Sequence, residues 1–213
     1  MKMNTNRIIG LYATQDYGKT YMINFLISKI PKDVKIFLFD TNYEAESKYK
    51  SPNQNLFKVT SKKPSAQETP EFLNDTILML RSKYSNFFLV IEDIDKIIDT
   101  PAKQKRLKEI FNLTSDSRHQ RIGIIYASKE PTNIPVKLRT TTNLFFIGNF
   151  TEPAHLKYIS QMVNKRIIEN LVKPQFFMLD RLASDKKDMR HIVVVNNDKL
   201  YIVGEDENKQ DGE

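Results

Sequence analysis

Five short apolar runs punctuate this chain, at 7–13, 34–39, 87–91, 122–127 and 143–147. The run at 87–91 has no polar alternation, which is the pattern of a central parallel strand buried on both faces. Between the runs the period lengthens. Ile23, Leu26, Ile27 and Ile30 fall at i, i+3, i+4 and i+7, one apolar face of a helix over 19–30 that Pro31 stops. Thr69-Pro70-Glu71 reads as a helix start, with Leu73, Ile77 and Leu80 facing inward. One helix is predicted near 101–114, and another begins at Thr151-Glu152-Pro153. Residues 42–69 are polar and proline-bearing, a loop region with room for a short strand at 56–59. Strands alternating with helices predict a wound, mostly parallel sheet. After residue 174 the pattern changes to β-like runs at 176–179, 192–195 and 200–203, joined by turn-like segments at 184–188 and 196–198. Connections that tight favour an antiparallel extension of the sheet.

The chemistry is concentrated where the first strand meets the first helix. Ala13-Thr14-Gln15-Asp16-Tyr17-Gly18-Lys19-Thr20 follows an apolar run and opens a helical one, the context a phosphate-binding loop requires. In such a loop backbone N–H groups point at the β- and γ-phosphates, and the helix N-terminus adds a positive dipole. Lys19 would reach the same phosphates as a point charge, and Thr20 would give a hydroxyl to Mg²⁺. Residues 13–20, together with Tyr21, are therefore the nucleotide-binding candidates. The motif expects glycine at its first position and finds Ala13, which carries a steric penalty if φ there is positive.

A second site stands at the end of the 87–91 strand, in Glu92-Asp93. Open α/β sheets bind ligands beyond the carboxyl ends of their strands. Glu92 is the candidate metal-side acid, acting on Mg²⁺ partly through water, and Asp93 the candidate water-activating base. The usual order of the two acids is Asp then Glu. Asp95 remains an alternative for either role.

Charge changes the picture of partners. The chain of 213 residues carries +7, and its last nine residues carry −4, which leaves +11 on the rest. A body that basic suits an acidic polymer, nucleic acid first, although a lysine-rich solvated surface accounts for charge equally well. Lys103, Lys105, Arg106 and Lys108 stand opposite Leu107, Ile110 and Phe111, as either a DNA-facing rim or a solvated helix face. Residues 205–213 lack apolar positions and read as an acidic, disordered tail; 1–204 is expected to form one domain, with 174–204 its β extension. Absence of cysteine excludes a thiol nucleophile, disulfides and cysteine-bound zinc. No apolar run approaches the roughly 18 residues of a membrane span, and the polar N-terminus does not read as a signal peptide, so neither membrane insertion nor secretion is expected.

A third constellation carries a family resemblance. Ser117-Arg118-His119-Gln120-Arg121 precedes the 122–127 run, which ends in Ser128-Lys129-Glu130-Pro131 and is followed by Ile134-Pro135 and Leu138-Arg139. With the segment from Thr151 to Ser160 and the antiparallel ending, this order resembles the HerA–FtsK superfamily of DNA-pumping ATPases. The likeness is greatest to the small genome-packaging ATPases of archaeal viruses, across about residues 7–203. The resemblance implies an α/β P-loop NTPase fold, a RecA-like mostly parallel sheet flanked by helices, with a C-terminal antiparallel β extension. It implies ATP and Mg²⁺ as cofactors, double-stranded DNA as substrate, a capsid protein as a further partner, and a place in the host cytoplasm or the virion. It also implies a hexameric or pentameric ring in which Arg118 reaches a neighbour's γ-phosphate in trans, with Arg121 and Arg139 in reserve. Lys129 takes the position of the family's γ-phosphate-sensing glutamine, and with Ala13 and the Glu92-Asp93 order it puts turnover at issue. Two other readings stand beside this one. Val90-Ile91-Glu92-Asp93-Ile94-Asp95 and Ala127-Ser128 resemble an AAA+ replication initiator or loader, against which the β-rich ending counts. The departures themselves suit a nucleotide-binding regulatory protein with little turnover.

Overall fold

The structure, a computed structural model, describes residues 6–39, 41, 49, 55–61, 69–185, 189–196 and 199–203, with the side chains of 116–120 outside that set. Asp40 at the end of the second strand, most of the 42–69 loop, turn residues 186–188 and 197–198, and the 205–213 tail lie outside the described residues.

β1 (Ile8–Tyr12) leads through the phosphate-binding motif into α1 (Lys19–Ser28), and then come β2 (Lys35–Phe39) and β3 (Leu56–Val59). α2 (Pro70–Lys83) precedes β4 (Phe87–Ile91), and three helices follow it: α3 (Ile94–Ile97), α4 (Pro101–Arg106) and α5 (Lys108–Gln120). β5 (Ile122–Ser128), a 3₁₀ turn at Pro131–Asn133, α6 (Val136–Thr141) and β6 (Leu144–Ile147) complete the parallel part. α7 (Pro153–Ile159) and α8 (Lys165–Glu169) lead to β7 (Phe176–Asp180), β8 (Arg190–Asn196) and β9 (Lys199–Ile202).

Among the described residues these strands form one nine-stranded sheet in the order β3-β2-β4-β5-β1-β6-β7-β8-β9. The first six are parallel and the last three antiparallel, as the change of pattern after residue 174 predicts. β1 lies between β5 and β6, with Leu11 opposite Ala127 on one side and Phe146 on the other. Placing β5 between the phosphate-loop strand and the acidic strand brings three carboxyl ends side by side.

The unbroken apolar runs are explained by burial on both faces. Ile9 and Leu11 share a cluster with Met22, Ile23 and Leu26 of α1, whereas Ile8 and Tyr12 share the opposite cluster with Leu73, Ile77 and Leu80 of α2 and with Ile110 and Leu113 of α5. Successive strand residues point to opposite faces, so both sets must be apolar. Each fully buried aliphatic or aromatic side chain stabilises the fold by about 1.5–3 kcal/mol. The antiparallel strands join the α1 side of this core through Phe176, Val193 and Val195. Arg7 Nη1 donates to Asp180 Oδ2 at 2.7 Å and ties the approach to β1 to the end of β7.

The helix expected near 101–114 is two helices broken at Leu107, whose side chain is buried. Asn74 of α2 holds the break open. Its Nδ2 donates to Arg106 O at 2.7 Å and its Oδ1 accepts from Glu109 N at 3.1 Å, which satisfies backbone groups a continuous helix would have paired internally. The short α3, α6, α8 and the 3₁₀ turn are too brief to leave a period in the sequence. Among the described residues no helix is long and apolar enough to cross a membrane.

Candidate active site at the carboxyl ends of the strands

Gly18 is the residue before α1 and has φ 97°, a left-handed conformation that glycine adopts without strain. A Cβ at this position would meet nothing within 4 Å, so the requirement there is one of backbone conformation. Asp16, with φ 59°, makes a second left-handed residue within the loop. The chain thereby turns tightly enough to present the amino end of α1, a ten-residue helix, to the space above the sheet. Lys19 Nζ donates to the carbonyls of Ala13 at 2.9 Å and Thr14 at 2.8 Å. Burial pushes the Lys19 ammonium below the usual lysine value, and the negative charges of Asp93 and Asp95 act in the opposite sense.

Ala13 is not among the described residues with positive φ, so the alanine at the motif's first position carries no backbone penalty. It is fully buried, its N–H donates to Ser128 O at 3.2 Å, and its methyl lies beside the α-carbon of Gly148. A Cβ on Gly148 would fall 2.8 Å from the Ala13 methyl and 2.5 Å from the Tyr17 ring. Glycine at 148 thus makes the room that glycine at 13 would otherwise have left. Tyr17 is buried edge-on against Phe176, with ring centroids 5.4 Å apart.

Across the cleft, Glu92 leaves the end of β4 largely buried and Asp93 begins α3 half-buried. Asp95 is 4% exposed and has both oxygens engaged: Oδ1 accepts from Ser128 Oγ at 2.7 Å, and Oδ2 from Lys129 N at 2.7 Å. Burial raises the Asp95 carboxyl above its ordinary value, against the lowering effect of these two hydrogen bonds.

A cavity of about 970 Å³ joins these parts. Gln15, Asp16, Gly18, Lys19, Thr20 and Tyr21 line its loop side, and Glu92, Asp93 and Lys129 its strand side. Ala13, Thr14 and Tyr17 stand behind that lining: Ala13 and Thr14 supply carbonyls to Lys19, and Tyr17 packs into the core. Arg118 is on the last turn of α5, which feeds the amino end of β5, the far end of the sheet from the cavity; its side chain is outside the described residues. Arg121 is exposed at that same end. Arg139 lies over the Tyr158 ring at 4.5 Å, and its carbonyl accepts from Arg181 Nη1.

Three lining residues escaped the sequence reading: Tyr49, Lys96 and Lys173. Lys96 follows Asp93 by three residues, a helical spacing that could have revealed it. Tyr49 and Lys173 stand outside the helices and strands, far from the loop in the chain. The Tyr49 hydroxyl faces Glu92 and Thr20, and burial, then the charge of Glu92, push it well above the ordinary tyrosine value. The Glu92 carboxylate and the Thr20 hydroxyl thus both neighbour Tyr49 in the lining of one cavity. Mg²⁺ takes few protein oxygens and keeps water and phosphate as its other ligands, so this pair fits it. Four lysines against three acids in the lining suit a polyanion.

A parallel sheet with the phosphate loop after β1, acids after β4 and a polar strand end between them is a P-loop NTPase fold. No protein-family model matches the chain, and no curated protein matches it in sequence. Among solved structures it is similar to the DNA-packaging ATPase from Sulfolobus turreted icosahedral virus, at 18% identity and TM-score 0.67 over 89% of this chain and 98% of that one. The genome-packaging NTPase from Sulfolobus turreted icosahedral virus 2 in complex with ATP-γ-S matches at 17% identity and TM-score 0.66, with the same coverage. The cytoplasmic domain of the Thermomonospora curvata type VII secretion ATPase matches at 12% identity and TM-score 0.58, over 90% of this chain and 24% of that one. At these identities the likeness is one of fold, and it agrees with the resemblance to archaeal viral packaging ATPases read from the motifs.

Proposed function

We propose that this protein is a Mg²⁺-dependent ATPase that drives double-stranded DNA through a ring of its own subunits and packages a viral genome. The observation that carries the reading is the convergence of Lys19, Thr20, Glu92, Asp93 and Lys129 on one cavity at three adjacent strand ends. Lys19, the loop N–H groups and the α1 terminus hold the phosphates. Thr20 and Glu92 would hold Mg²⁺, which would supply positive charge to the triphosphate. Asp93 accepts the proton of the attacking water, and Lys129 faces the terminal phosphate from the strand side.

DNA as the substrate is supported by the +11 body and by a match that spans nearly the whole of a small packaging ATPase but only a quarter of the secretion ATPase. Of the basic residues near the α4–α5 break, Lys103 is paired with Asp99 and Arg106 with Glu71, whereas Lys105 and Lys108 are exposed. They add little to the argument for DNA. A helical lid of the AAA+ kind has no counterpart in the described C-terminal strands β7 to β9. The activity belongs in the host cytoplasm or the virion, with a capsid protein as docking partner. Phosphate release with and without duplex DNA tests the proposal: wild-type protein should hydrolyse ATP faster with DNA, and Lys19→Ala should be inactive while folded. Full activity in folded Lys19→Ala would refute the site.

A further inference from the structure

The strand end between the phosphate loop and the acids is held by a buried strap. Asp95, two residues beyond Asp93, reaches under the cleft to accept the Ser128 hydroxyl and the Lys129 N–H, each at 2.7 Å. Ser128 Oγ in turn accepts the Glu130 N–H at 3.0 Å, and Ser128 O accepts the Ala13 N–H at 3.2 Å. Asp95 and Ser128 are almost fully buried, so none of these bonds competes freely with water. One carboxylate thus holds the Lys129 N–H directly and the Glu130 N–H through Ser128 Oγ, and Ser128 in turn is tied to the first residue of the phosphate loop. Lys129 is the residue so fixed that lines the cavity with Lys19.

We propose that Asp95 is a positioning residue: it sets the backbone of Lys129 so that the lysine ammonium, supplied in cis, reads the terminal phosphate of the bound triphosphate. This rests on the nucleotide site assigned above. Asp95 does not line the cavity, and its two oxygens are engaged by Ser128 and Lys129, which separates its role from that of Asp93. Lys129 lines the cavity with Lys19, near enough for the two positive charges to oppose each other. A neutral glutamine in this place would offer a dipole; a lysine offers a full charge, whose worth depends on its direction.

The test measures affinity for fluorescent ATP and ADP analogues and reads their ratio. Lys129→Ala should lower the preference for ATP over ADP by about tenfold or more, the size of a lost charge-assisted hydrogen bond. Asp95→Ala should lower it to a similar extent, and the double variant should be no worse than either single one. Asp95→Asn should retain most of the preference and of the hydrolysis rate, because the amide oxygen still accepts the Lys129 N–H and the Ser128 hydroxyl can rotate to accept the amide N–H. If Asp95→Ala fails to fold, Ser128→Ala carries the test, with a several-fold fall in the same ratio expected. A wild-type ratio in Asp95→Ala or Ser128→Ala, additive losses in the double variant, or loss of hydrolysis in Asp95→Asn would overturn the inference alone. Absence of nucleotide binding by the wild-type protein would overturn it together with the proposed function.

Discussion

Gly148→Ala tests the account of how the phosphate loop accommodates Ala13. The added methyl would lie 2.5 Å from the Tyr17 ring and 2.8 Å from the Ala13 methyl, distances real Cβ contacts do not show. Neither neighbour can retreat cheaply. Tyr17 is buried against Phe176, and the Ala13 methyl moves only with its backbone, which Ser128 holds. Forcing a methylene-sized group into a filled site costs about 1–3 kcal/mol. At roughly 2–4 °C per kcal/mol for a chain of this size, Tm should fall by about 2–12 °C. The displaced loop should also bind nucleotide less well. Ligand at a hundred times Kd stabilises a protein by about 2.7 kcal/mol, so the Tm rise on adding an ATP analogue should be smaller in the variant than in the wild type. Adding Ala13→Gly should recover part of the loss, because it removes the methyl contact and leaves the Tyr17 contact. Thermal unfolding with and without nucleotide reads all of this. An unchanged Tm and an unchanged nucleotide shift in Gly148→Ala would show that the loop does not rest on residue 148.

Other outcomes follow from the proposed function. Asp93→Asn should bind ATP close to wild-type affinity and hydrolyse it at least 100-fold more slowly, the scale of general-base loss, in a phosphate-release assay. ATP affinity should fall with rising pH at values below the ordinary lysine pKa of 10.5, because Lys19 must be protonated to hold phosphate and its pKa is lowered by burial; fluorescence titration of Lys19→Ala, weak throughout, should lack this fall. Arg118→Ala should retain nucleotide and DNA binding, lose hydrolysis by about 10³-fold or more, and regain part of it when mixed with Lys19→Ala subunits. No recovery in verified mixed rings would remove Arg118 as a trans-acting group. Duplex DNA binding should weaken steeply with salt and show little sequence preference, which a salt series on two unrelated duplexes measures.

The parallel strands were legible because burial on both faces leaves runs with no alternation, and the antiparallel ending because its connections are short. The break at Leu107 was not, because the group that stabilises it is Asn74, more than thirty residues away. The phosphate loop and the acids stood out because each function there is met by contiguous residues at the end of a strand. Gly148, Tyr49 and Lys173 gave no signal: each meets the loop or the cavity from a distant stretch of the chain, and such a meeting is not written in any local period. Ala13 read as a departure from the motif because its compensating glycine is 135 residues downstream. Asp95 read as a spare acid, and only its partners on β5 distinguish a strap from a base.

The contact between Tyr17 and Phe176 bears on how such a chain can change over time. Phe176 opens the first antiparallel strand, yet its ring packs edge-on against Tyr17 of the phosphate loop. The C-terminal strands therefore share a core with the loop and with α1. A deletion or a domain exchange at residue 174 would take away a packing partner of the proposed nucleotide site along with the sheet edge. An exchange at that seam would keep this packing where the incoming strand carries a ring that fits Tyr17.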